Sequence, residues 1–85
     1  MFLYIKGEFG FGTEMEMWVN IDDIESIEPR SDYLLISKKG TTTYHNQLHV
    51  KVDNPKEISQ KILEENIKGT KLAVIKNGKL EVIIP

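Results

Sequence analysis

One stretch of this chain, Asn54 to Gly69 (NPKEISQKILEENIKG), carries its apolar residues at helical spacing; nearly everything else alternates or turns like strand. Its ends carry helix punctuation. Asn54 is a good N-cap, and Pro55 stands at the first helical position, where a missing N–H costs nothing. Glu57 lies three residues past the cap, within reach of the cap's own N–H. Lys68 and Gly69 supply a last-turn cation and a residue at ease in the left-handed region. A helix over 55–68 is therefore predicted. Steps of 100° place Ile58, Ile62, Leu63 and Ile67 in one half of its wheel. Glu57, Lys61, Glu64, Glu65 and Lys68 occupy the other, with Glu57–Lys61 and Glu64–Lys68 in the favourable order. Each such ion pair is worth roughly 0.2–0.5 kcal/mol and each buried aliphatic side chain roughly 1.5–3 kcal/mol, so packing holds the helix in place.

Around the helix the chain reads as short strands. Phe2 to Lys6 is apolar on both faces, and a glycine loop (7–12) separates it from Glu14 to Ile21. That run puts Met15, Met17, Val19 and Ile21 on one side and Glu14, Glu16, Trp18 and Asn20 on the other. Ile24 and Ile27, three apart, suggest a helical turn capped by Asp22, and Glu28 to Asp32 a turn cluster around Pro29. Tyr33 to Lys38 and Thr41 to His45 form strands about the Lys39-Gly40 turn, and Leu48, Val50 and Val52 alternate up to the helix. Asn77-Gly78 between two apolar alternations is a hairpin turn pairing Lys76 with Lys79, Ile75 with Leu80, Val74 with Glu81, Ala73 with Val82 and Leu72 with Ile83. The fold class expected is α+β: a bent antiparallel sheet of about six short strands packed on one helix, with a terminal Asn-Gly hairpin. At 85 residues it reads as a single domain, 1–85.

Charge narrows the function classes. Eleven basic against thirteen acidic residues, a net of −2, disfavour both a strongly electrostatic DNA binder and an acidic DNA mimic. No cysteine is present, so thiolate metal sites and cysteine nucleophiles drop out. No apolar run approaches the roughly 18 residues of a membrane span, and MFLYIKGEF lacks the basic start of a signal peptide, so a cytoplasmic protein is expected. Abundant Lys, Ile and Asn beside a single Arg and a single Ala suggest an AT-rich bacterial or phage coding sequence.

Residues 18–63 resemble a type of short bacterial and phage protein that includes the FlbD-type flagellar motility proteins. The resemblance lies in VNIDDIESIEP (Val19 to Pro29), YLLISKKG (Tyr33 to Gly40) and NPKEISQKI (Asn54 to Ile62), a spacing of Ile, Gly and Pro. It implies a small β-rich binding module without known catalysis. The glycine-loop hairpin before it and the Asn-Gly hairpin after it lie outside the resemblance.

Candidate chemistry is sparse. Gly7, Gly10 and Gly12 could turn N–H groups toward a phosphate, but neither the P-loop nor the dinucleotide fingerprint is met. Phe9 and Phe11 in that loop either project into a partner or fold back onto the core. Trp18 shares its face with glutamates, which leaves a subunit interface, a ligand-stacking platform or cover by the terminal hairpin. His45 and His49 lie about 13 Å apart on an unbroken strand, too far to share a metal. The acidic cluster Asp22, Asp23, Glu25 and Glu28 falls outside calcium-loop spacing. No catalytic residue, metal ligand or cofactor is assigned. The function expected is a small non-catalytic protein-binding module. It pairs with itself or with another protein as a bacterial or phage accessory, regulatory protein of inhibitor type, through Phe9, Phe11, Trp18, Leu72, Val74 and Ile83. One alternative is a single-stranded nucleic-acid-binding β-domain using Lys38, Lys39, Tyr44, His49 and Lys51. The other is a module that sequesters a small ligand such as a nucleotide.

Overall fold

The computed structural model describes residues 1–10, 12–40 and 47–85. Its elements are β1 (Phe2–Phe9), β2 (Thr13–Asn20), a one-turn 3₁₀ helix (Ile21–Asp23), β3 (Ile24–Pro29), β4 (Tyr33–Lys38), β5 (Gln47–Lys51), α1 (Pro55–Lys68), β6 (Leu72–Lys76) and β7 (Lys79–Ile84). The fold is α+β, as expected. The predicted strand Thr41 to His45, with Tyr44 and His45, lies outside the described residues, as does Phe11.

The seven strands make one curled sheet of two leaves. β1 is the hinge. Along one edge it pairs with β2 over its whole length, Phe2 with Asn20 through Phe9 with Thr13. Its other partners divide the strand between them: residues 2–6 pair with β6, and Phe9 pairs with Val50 of β5. One leaf therefore runs β2-β1-β6-β7 and the other β3-β4-β5. They meet at Phe9–Val50 and at the Gly10 N–H, which donates to the His49 carbonyl at 2.9 Å. The β1–β6 pairing is parallel, so the sheet is mixed rather than wholly antiparallel.

Both leaves turn one face inward. Leu3 and Ile5 of β1, Leu34 and Ile36 of β4, Ile75 of β6 and Ile62 of α1 are fully buried or nearly so. The helix lies against β3 and β4. It begins and ends as the sequence predicts: the Asn54 side chain accepts from the Glu57 N–H, and Gly69 adopts φ 87°. The Glu57 carboxylate, however, accepts from the Asn54 side-chain amide at 2.9 Å rather than reaching the cap's backbone N–H.

The buried stripe of α1 differs from the predicted half-wheel. Pro55, Ile58, Ser59, Ile62 and Glu65 face inward, whereas Leu63 is exposed and Ile67 is 85 % exposed. A helix laid on two strands covers a narrow stripe, and Leu63 and Ile67 fall outside it. Glu65, assigned to the solvent side, is instead buried. It accepts from the Thr70 hydroxyl at 3.0 Å and the Lys68 ammonium at 3.1 Å. Those two bonds, that of Lys68 first, hold its carboxyl below the usual glutamate range.

Three local readings change. β1 runs on to Phe9, so Gly7 lies inside a strand and the turn between strands is residues 10–12. The region from Ile24 to Pro29 is an edge strand, and the 3₁₀ turn before it is capped by Asn20, not Asp22. In the terminal hairpin a bulge shifts the last pair, so that Leu72 lies opposite Ile84 rather than Ile83. Its Asn77-Gly78 turn is as predicted, with both residues at positive φ. Gly78 is also crowded: a Cβ there would meet the Asp53 carboxylate at 2.8 Å, and its carbonyl accepts from the Asp53 N–H.

Candidate functional site

Alternation within the four-stranded leaf creates a second face. Because Leu3 and Ile5 point inward, Phe2, Tyr4 and Lys6 point out, and the registers place their neighbours in rows. Across the leaf from β2 to β7 the first row is Asn20, Phe2, Leu72 and Ile84. The second is Trp18, Tyr4, Val74 and Glu81. The third is Glu16, Lys6, Lys76 and Lys79. One end of the face is thus apolar and aromatic, and the other is charged.

Trp18 stands over this face at 62 % exposure, its ring 4.9 Å from that of Tyr4 and tilted 44° to it. The terminal hairpin does not cover it, because β7 lies three strands away across β1 and β6. Phe2 is half exposed, and with Trp18, Lys71, Leu72 and Ile84 it lines a shallow hollow of about 360 Å³. Exposed aromatic surface concentrated on one side of a small protein is the physical signature of an interaction face.

A hydrogen bond from the Tyr4 hydroxyl to the Glu16 carboxylate fixes the aromatic edge of the face. That bond raises the Tyr4 phenol above its ordinary value and lowers Glu16, which also has the Lys6 ammonium at 3.6 Å. Tyr4 is therefore held in place at both ends, by the Trp18 ring and by Glu16.

Of the partner residues expected from sequence, Trp18, Leu72 and Val74 share this face. Ile83 is half exposed at the open end of the hairpin. Phe9 is 8 % exposed and belongs to the core, where it closes the seam between the leaves, so it offers no surface. Phe2, Tyr4 and Ile84 were missed. Their signal was the apolar character of both sides of the first strand, which a one-helix fold cannot cover twice.

The nucleic-acid candidates sit on the other leaf. The His49 ring stacks on that of Tyr33 at 5.1 Å and 16°, beside Lys51, at a hollow of about 580 Å³ that Glu8 and Asp32 also line. Lys51 is held by Glu8 at 3.5 Å, which cancels much of its pull on a phosphate. Lys38 and Lys39 lie at the far end of β4 from Tyr33.

No group of histidine, cysteine and acidic side chains suited to a metal occurs among the described residues, and no helix among them is long and apolar enough to cross a membrane. No protein-family model, curated protein or solved structure matches the chain.

Proposed function

We propose that this chain is a small non-catalytic protein-binding module whose contact surface is the outer face of the β2-β1-β6-β7 leaf. The observation that carries the reading is Trp18, a tryptophan left open to solvent among Phe2, Tyr4, Leu72 and Val74. Tryptophan and tyrosine are enriched among the residues that dominate binding energy, and they surrender little conformational freedom on contact. Composition rich in Lys, Ile and Asn supports a bacterial or phage accessory protein, of regulatory or inhibitor type, acting in the cytoplasm. The FlbD-type resemblance of residues 18–63 points the same way, toward a β-rich binding module.

Capture from an extract of cells that carry the chain tests this reading. The tagged protein retains protein partners, untagged copies of itself included. A Trp18→Ser/Phe2→Ser variant with an unchanged circular dichroism spectrum retains none, and Ile67→Ser on the helix retains all of them. Equal retention by the face variant overturns the proposal.

The Tyr33–His49 stack favours a second reading, in which the three-stranded leaf takes a base of a single strand or of a free nucleotide. It requires retention of single-stranded oligonucleotides that weakens as salt rises. No retention at low salt, and no thermal shift with a nucleotide, removes it.

A further inference from the structure

The outer face is zoned by charge as well as by polarity. At its charged end the β2 side carries Glu14 and Glu16, and the β6–β7 side carries Lys76 and Lys79. Lys6 lies between them, 3.6 Å from Glu16. Acid and base therefore sit at opposite flanks of the same row, with the aromatic zone beyond that row on both flanks.

We infer that the occupant of this face is a second copy of the same chain, packed face to face about a two-fold axis running along the strands. The inference rests on the proposed role of the face as a contact surface and names its partner. A two-fold axis in that direction exchanges the flanks and keeps the ends. β2 of one copy then lies over β7 of the other, and β1 over β6. Glu16 of each copy faces Lys79 of the second, with Glu14 and Lys76 beside them. Phe2 and Tyr4 lie over Leu72 and Val74 of the second copy. Lys6 comes toward Lys76, a like charge, but its own Glu16 offsets it.

Other orientations lack this match. An axis across the strands lays the charged end on the aromatic end and buries lysines and glutamates without partners, which is costly. A different protein would have to carry the same zoning in mirror order, and this chain already carries it.

The size of the face sets the strength of the pairing. Four strands about 4.8 Å apart and five residues long give a face of roughly 15 by 17 Å. Covering it on both copies buries on the order of 1,000 Å², at the low end for a specific interface. The pair therefore forms and separates with concentration.

Trp18 is the chain's sole tryptophan and so reports on its own face. Sedimentation and emission spectra are followed together as concentration rises. Mass rises from one chain toward two across on the order of 1 µM to 1 mM, and the emission shifts to the blue as Trp18 loses water. Glu14→Lys/Glu16→Lys and Lys76→Glu/Lys79→Glu each stay single over that range with the fold intact by circular dichroism. Mixed one to one, the two variants pair again, and that rescue tests the axis. A wild-type mass of one chain at 1 mM overturns self-pairing. So does a pair that survives both charge variants and Trp18→Ser/Phe2→Ser, because that pair uses another surface. The proposed function stands through either result if capture of other proteins still depends on Trp18 and Phe2; without that capture it falls as well.

Discussion

The two leaves bury one side equally well and differ on the other. Inside, Leu34, Ile36 and Val50 of the three-stranded leaf are as buried as Leu3, Ile5 and Ala73 of the four-stranded leaf. Outside, the described part of the three-stranded leaf presents Tyr33, Leu35, Ser37, His49 and Lys51, an ordinary mixed surface, whereas the four-stranded leaf presents Phe2, Tyr4, Trp18, Leu72 and Val74. The inner pattern is what folding requires. The outer apolar residues of the larger leaf exceed that requirement and call for a contact outside the fold.

The largest expected effect separates the two sides of a single strand. Ile5→Ala removes a fully buried side chain and should cost about 2–5 kcal/mol in denaturant unfolding. Phe2→Ala, three positions earlier on the opposite face, should cost under about 1 kcal/mol. Equal losses would erase the distinction between a folding side and a contact side. Next comes the seam between the leaves, where the β6–β7 turn meets Asp53. Gly78→Ala combines positive φ with a contact at 2.8 Å and should cost about 2–3 kcal/mol. Gly69→Ala has the same sign of φ in open space and should cost about 1 kcal/mol. Similar values for the two glycines would mean that the Asp53 contact ties nothing together.

Two titrations give the smallest effects. Ultraviolet titration of the tyrosines should show Tyr4 ionising above its ordinary value, because its proton is shared with Glu16 and its anion would sit beside a carboxylate. Glu16→Gln should bring that step down, and an unchanged step would mean that Glu16 does not anchor the aromatic face. On the helix side, Glu65 in the folded state holds its proton less tightly than in the unfolded chain. Its contribution to stability is therefore complete above the unfolded value of about 4.3 and is lost as pH falls through the lower folded value. Thermal melts of Glu65→Gln should accordingly be flatter than wild type between neutral and acidic pH. A melt profile matching wild type would assign acid sensitivity elsewhere.

Local grammar was legible wherever one residue type has one physical use. Asn54, Pro55 and Gly69 bounded the helix, and Asn77-Gly78 located the terminal turn, because caps and left-handed turns admit few side chains. The third strand was hidden by its own bulge. The pairing skips from Ile24 to Ser26, so one extra residue brings Ile24 and Ile27 to the same side and imitates a helical spacing of three. Pro29 at its end is tolerated because β3 is an edge strand. The exposed Leu63 and Ile67 show the limit of a helical wheel, which gives the direction of an apolar face and not how wide a neighbour will cover it. The outer face was half legible. Trp18, Leu72 and Val74 stood out, but their gathering into one patch depends on β1 lying between β2 and β6, a long-range pairing that periodicity does not encode.

That pairing also governs how the chain comes together in time. Phe2 lies beside Leu72, seventy residues later, and the pairing is parallel. Contacts of such separation form only after a large loss of chain entropy, and folds dominated by them reach the native state in milliseconds to seconds rather than microseconds. Until β6 arrives, the inner edge of β1 between Phe2 and Lys6 stays open while β2 already guards the other. On a ribosome, the first strand made waits for nearly the last, and the aromatic face cannot exist before the final hairpin has left the tunnel.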